Sequence, residues 1–137
     1  MVWTGSRVIV WGGRCAGTPL GDGGIYDPVN DAWQPLPLAT NLLSARSGHV
    51  AVWTGTEMLV WSGETVGGAV ASGAAYNPAT GQWRALPATG SAVARTESTA
   101  CWSGTELIVF GGRNGASPVG ALQRLNPQPA WHFFRKQ

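Results

Sequence analysis

The tripeptide Trp3-Thr4-Gly5 returns as Trp53-Thr54-Gly55 and again, with serine at its centre, as Trp102-Ser103-Gly104, at intervals of 50 and 49 residues. The residues between these marks repeat in register. Val8-Ile9-Val10-Trp11-Gly12-Gly13 matches Met58-Leu59-Val60-Trp61-Ser62-Gly63 and Leu107-Ile108-Val109-Phe110-Gly111-Gly112. Tyr26-Asp27-Pro28 matches Tyr76-Asn77-Pro78 and, more loosely, Leu125-Asn126-Pro127, while Trp33 matches Trp83, each ahead of a Leu-Pro pair at 36–37 and 86–87. A period of this length confines the chain to architectures in which equivalent units stack on one another, because one unit alone has nothing to bury its apolar face against.

The most complete copy of the unit runs from Arg46 to Pro87. Its apolar runs, His49–Trp53, Glu57–Trp61, Gly73–Tyr76 and Gln82–Leu86, are separated by Thr54-Gly55-Thr56, a Gly/Ala-rich loop and Asn77-Pro78-Ala79-Thr80-Gly81. Runs of about five residues rich in Val, Trp and Tyr, bounded by Gly- and Pro-bearing turns, read as strands of an antiparallel meander. No window sustains the 3.6-residue period of a helix. The expected fold is therefore all-β, each unit a four-stranded propeller blade, in a single segment spanning 1–137. Blade one covers 1–37, blade two 46–87 and blade three 95–134. Blade one is expected to contain Met1–Trp3, Val8–Trp11, a loop over Arg14–Gly23, then Gly24–Tyr26 and Ala32–Leu36. Blade three is expected to contain Ala100–Trp102, Leu107–Phe110 and Ala121–Leu125. In its last run, Pro127–Phe134, Pro129 makes an edge strand or an irregular tail.

The Arg-Ser-Gly-His entry at 46–49, the apolar strand closing in Gly-Gly, the Tyr–Asp/Asn–Pro turn and the following Trp resemble the kelch repeat. The wording around Trp53-Thr54-Gly55 and Tyr76-Asn77-Pro78-Ala79-Thr80-Gly81-Gln82-Trp83 resembles bacterial kelch-type propellers in particular. The resemblance spans the chain and implies the propeller fold. It leaves function open, since kelch propellers include binding platforms, copper oxidases and sugar mutarotases.

Three blades do not close a ring, which takes about four to eight. An open arc would expose edges and Trp-lined faces. Two copies arranged head to tail would make six blades, so a homodimer is expected; a fragment of a longer product, or completion by another chain, are the alternatives.

Composition narrows the partners. Only 12% of residues are charged, the formal net charge is +2, and Lys136 is the sole lysine, beside Arg135 at the end of the chain. With no basic stripe, a nucleic-acid partner is not expected. No apolar run reaches the ~18 residues of a membrane span, and Met1 leads directly into the first blade without a charged-then-apolar leader. The compartment stays unassigned, because Cys15 and Cys101 occupy different positions of different blades and are not expected to pair. Cys101 reads as a small buried hydrophobe in a strand.

The loops between second and third strands share a face with the entries to the innermost strands. That face is expected to carry Arg14, Asp22, Glu64 and Arg113 from the first set, and Arg46, Ser47, Arg95, Thr96 and Glu97 from the second. The Gly-rich turns lie opposite and read as structural. The kelch resemblance places the entry arginines, Arg46 and Arg95, at a ligand mouth; the competing reading has them bind neighbouring carbonyls or cover a Trp. Arg46, Arg95, Arg14, Arg113, Glu64 and Glu97 are thus the candidate ligand-binding residues, suited to charge-assisted hydrogen bonding. His49 reads as structural, His132 lies in the atypical tail, and Tyr26 and Tyr76 read as core residues whose hydroxyls need partners.

No catalytic residue, metal site or cofactor is expected. A copper site of the galactose-oxidase kind needs Tyr and His ligands that this chain has not to spare. A mutarotase-like arrangement of Arg and acid groups exists, but no spacing selects proton transfer. Gly12-Gly13 and Gly111-Gly112 end strands and precede no helix, so neither is a phosphate loop. The expected function is a non-catalytic module recognising a protein or carbohydrate ligand at the loop face. A sugar-modifying enzyme, or a purely structural part of a larger propeller, is the alternative.

Overall fold

A computed structural model describes residues 1–87 and 92–128. Blade one is a four-stranded sheet of β1 (Val2–Trp3), β2 (Val8–Cys15), β3 (Thr18–Asp27) and β4 (Ala32–Pro35), paired in that order. Blade two contains β5 (Val50–Trp53), β6 (Met58–Trp61), the short β7 (Glu64–Thr65) and β8 (Gly68–Ala69), β9 (Gly73–Asn77) and β10 (Gln82–Ala85). Its main sheet runs β5-β6-β9-β10, with β7 and β8 forming a separate ribbon. Blade three repeats the plan with β11 (Thr99–Trp102), β12 (Leu107–Phe110), β13 (Arg113–Asn114), β14 (Ser117–Pro118) and β15 (Gln123–Leu125). All the pairings are antiparallel. Among the described residues there is no helix, and so none long and apolar enough to cross a membrane.

The period-2 alternation of strands explains the packing. In β6 all four residues are buried, because successive side chains leave opposite faces of the sheet and both faces are covered. Met58 and Val60, with Ala74 and Tyr76 of β9, pack on Ile9, Trp11 and Ile25 of blade one. Leu59, Trp61 and Ala75 pack on Leu107, Val109 and Leu125 of blade three. We call these the leading and trailing faces of a blade. Blade two is thus the filling between two sheets, and each core cluster is one blade junction.

Three expectations change in the structure. Arg14–Gly23 is not a loop: β2 and β3 continue pairing past a bulge at Trp11/Gly13 to a tip at Ala16-Gly17. A Gly-rich run with little apolar alternation conceals such a ribbon, since its pairing is carried by backbone alone. In blade three β15 starts at Gln123, not Ala121. The reason is the residue before it. Blade two has Gly73 there, where a Cβ would lie 2.2 Å from the Val60 carbonyl oxygen, and Gly23 of blade one is equally close to that of Val10. Blade three has Leu122, so the rung opposite Phe110 is not made and Leu122 is left exposed. Finally, Cys101 is exposed rather than buried. It pairs with Ile108 on the trailing face of blade three, which no sheet among the described residues covers. Cys15 is also exposed, and both thiols are free. The last strand expected over 127–134, with Trp131 and His132, and the basic tip Arg135-Lys136 lie largely or wholly outside the described residues.

Candidate functional site

Arg46 and Arg95 do not open onto a ligand mouth. Their relative exposures are 1% and 0%, and their guanidinium groups are spent on their own blades. Arg46 donates from Nε to the Ser44 carbonyl and from Nη1 to the carbonyls of Ser62 and Ser72; Nη2 donates to the hydroxyls of Ser44 and Ser72. All five of its donors are used. Arg95 repeats the pattern on Val93, Gly111 and Ala121. The carbonyls of Ser62, Gly111 and Ala121 lie where the second and third strands splay before their terminal ribbon, and the guanidinium supplies a donor there, while the Ser72 carbonyl also accepts from the Ser62 amide. Burial pulls the Arg46 pKa down to about 10 and lowers that of Arg95, yet both stay charged at neutral pH. The sequence signal for these residues was the repeated Arg entry, which marks a staple here.

The other four candidates meet at the surface. The entry residues Ser47 and Thr96 form isolated bridges with Glu64 and Arg113, which fastens each ribbon to the start of its innermost strand. Arg14, at the same repeat position as Glu64 one blade earlier, donates to Glu64 Oε2 at 3.1 Å and to Ser47 Oγ at 3.2 Å. Arg113 grips Glu97 with two parallel bonds of 2.8 Å. The charge-assisted fork depresses the Glu97 carboxyl below its ordinary range, helped by Arg113's charge and, more distantly, by Arg14; Arg113 is raised in return. The face therefore presents two cations and two anions across three adjacent ribbons. Asp22, predicted nearby, is exposed without an ion pair among the described residues.

Glu97 carries a further mark. Its φ is +56°, the left-handed region, at the place where blade two has Gly48 with φ +60°. A carboxylate held in a conformation that costs a non-glycine residue about 1 kcal/mol or more points to a position kept for its side chain. Val66, at the tip of the β7–β8 ribbon that Glu64 opens, is 92% exposed. Sequence reasoning passed over it because a single tip valine has no periodic signal. A cleft of about 370 Å³ lies between Glu97, Gly112, Arg113, Ala116 and Pro118.

His49 sits under the same face, its ring edge-on to Trp11 at 5.4 Å. Burial, then the N-terminal amine and Arg46, push its pKa down to about 4, so it is a neutral packing group. On the opposite face a larger cleft of about 580 Å³ separates blades one and two, lined by Thr4, Arg7, Asp27, Asn30, Trp53 and Pro78 among others. Its acid is occupied: Asp27 accepts from the Val29 and Asn30 amides and from the Asn30 side chain, which builds the turn. Tyr26 donates to Asp31 at 2.8 Å. Among the described residues no three His, Cys, Asp or Glu side chains converge to hold a metal.

Compared with known proteins, the chain matches the family model described as the KLHDC2/KLHL20/DRC7 Kelch-repeats domain over residues 1–133. No curated protein matches it.

Proposed function

The chain belongs to the kelch-repeat family, and from that premise we propose that it is a non-catalytic recognition module that takes a protein ligand on the ribbon face. The observation that carries this reading is Glu97, strained at φ +56° and gripped by Arg113 beside the Arg14–Glu64 pair. These pairs are solvent-exposed, so they contribute little to stability. Placed at a rim, they steer and orient a partner of complementary charge, while Val66 offers an apolar contact. A segment with charges of both signs answers the alternation of Arg14, Glu64, Glu97 and Arg113. The adjoining cleft is open and shallow enough for a loop or extended peptide.

The test is selection from a random-peptide display library, with a glycan array in parallel. Peptides selected on the wild type should bind the Arg14→Ala/Arg113→Ala double variant at least about tenfold more weakly. Peptides that compete with one another yet ignore this double variant would place recognition elsewhere. Glycan binding lost in the same variant would change the ligand class to carbohydrate.

A further inference from the structure

The two blade junctions inside the chain are the same junction made twice. In the first, Trp11 of blade one is covered by blade two and is 3% exposed; in the second, Trp61 is covered by blade three and is 0% exposed. Phe110 holds this position in blade three, on a face that no described sheet covers, and is 52% exposed. The leading faces tell the converse. Trp83 of blade two stands edge-on to Trp11 at 6.0 Å and donates Nε1–H to the Pro37 carbonyl at 2.8 Å. Its counterpart Trp33, on the leading face of blade one, is 61% exposed, and Trp3, on the innermost strand of that face, is 53% exposed.

The bare faces are therefore the two different halves of one interface. The trailing half holds Cys101, Ile108 and Phe110, with Arg124 opposite Ile108 and held by Glu106; the leading half holds Trp3, Val8, Tyr26 and Trp33. Two like halves have no template in the molecule, whereas the unlike halves have two. We propose that a second copy of this chain covers both faces, blade three of each copy docking on blade one of the other, with Phe110 against the partner's Trp33. A contact between unlike surfaces is head to tail, and it stays finite only if its rotation closes a circle. Three blades per copy close after two copies as a six-bladed ring with two identical junctions. Cys101 then lies where Val2 and Val52 lie in the existing junctions, each 8% exposed.

Light scattering after size exclusion should give twice the chain mass for the wild type. Phe110→Glu and Trp33→Glu should each yield monomer, with the dimer dissociation constant raised about 100-fold or more. An equimolar mixture of these two variants should recover dimer, because one of its two junctions joins two unaltered faces. In the wild-type dimer Cys101 should resist a thiol reagent while Cys15 reacts; in the variants both should react. Wild type that stays monomeric at about 100 μM overturns the proposal, and leaves the faces to further blades or another chain. An unchanged dimer in either single variant overturns it in favour of a like-to-like contact, and an open-ended polymer overturns closure. If a variant loses its β-sheet circular dichroism, the concentration dependence of Cys101 reactivity in wild type decides alone: no protection on raising concentration refutes the docking.

Discussion

Blades two and three carry the same plan with different residues at four matched positions. Blade two has Gly48, His49, Gly73 and Ala74; blade three has Glu97, Ser98, Leu122 and Gln123. Blade two is covered on both faces, pairs its third strand up to Gly73 and leaves little of itself exposed. Blade three loses that rung, buries Gln123 without a hydrogen-bond partner for either side-chain atom, and strains Glu97. The difference teaches where a propeller blade is intolerant. It needs no Cβ where the third strand passes beneath the second strand's carbonyl, and no polar group between sheets. It accepts a charged, strained residue at the rim, where solvent and a partner arginine receive it.

The comparison can be broken most forcefully at the feature both blades share. Arg46→Ala strips donors from the carbonyls of Ser62 and Ser72 and should cost about 3–5 kcal/mol in denaturant unfolding. Arg95→Ala, which removes fewer bonds, should cost less. Lysine should not rescue Arg46, since it has no planar fork to span two carbonyls.

Acid separates the blades next, through His49 against Ser98. With a folded pKa of about 4 against the ordinary 6.5, the unfolded chain binds more protons between those values. Stability is therefore full above pH 6.5 and falls as pH drops towards 4, by on the order of 3 kcal/mol. Unfolding measured across that range should show the slope in wild type and a flattened one in His49→Gln.

Exchanging residues between blades tests the packing rule. Gly73→Leu installs blade three's residue in blade two and should destabilise by about 2–3 kcal/mol, because the side chain meets the Val60 carbonyl. Hydrogen exchange should show the Trp61–Gly73 rung opened. The smallest effect runs the other way: Gln123→Ala installs blade two's residue in blade three and should stabilise by about 1 kcal/mol in a thermal melt. Stability unchanged or lowered would mean that Gln123 has a partner after all.

Strand positions were legible because a repeated alternation of apolar residues and turn tripeptides leaves each strand few alternatives. The register of β5, β6, β9 and β10 follows from that pattern almost residue by residue. The β2–β3 ribbon was not legible, since Gly13–Gly24 pairs through backbone and has little side-chain rhythm. Of the candidate site, Arg14, Glu64, Glu97 and Arg113 were legible as charges on one face, from two sets of connections. Arg46 and Arg95 were found for the wrong role. A repeated arginine entry reads alike whether its guanidinium turns outward or inward, and only the position of the Ser62, Ser72, Gly111 and Ala121 carbonyls settles the direction.

By itself, the sequence determined the blade: its length, its four-strand order and its membership of the kelch family all follow from local spacing, which acts over tens of residues. Tertiary structure decided what each blade touches, and with it the meaning of each side chain. Trp11, Trp61 and Phe110 are equivalent in the repeat, yet two are buried and one is bare. Burial is a property of the neighbouring sheet, and a residue's own surroundings in sequence do not contain it.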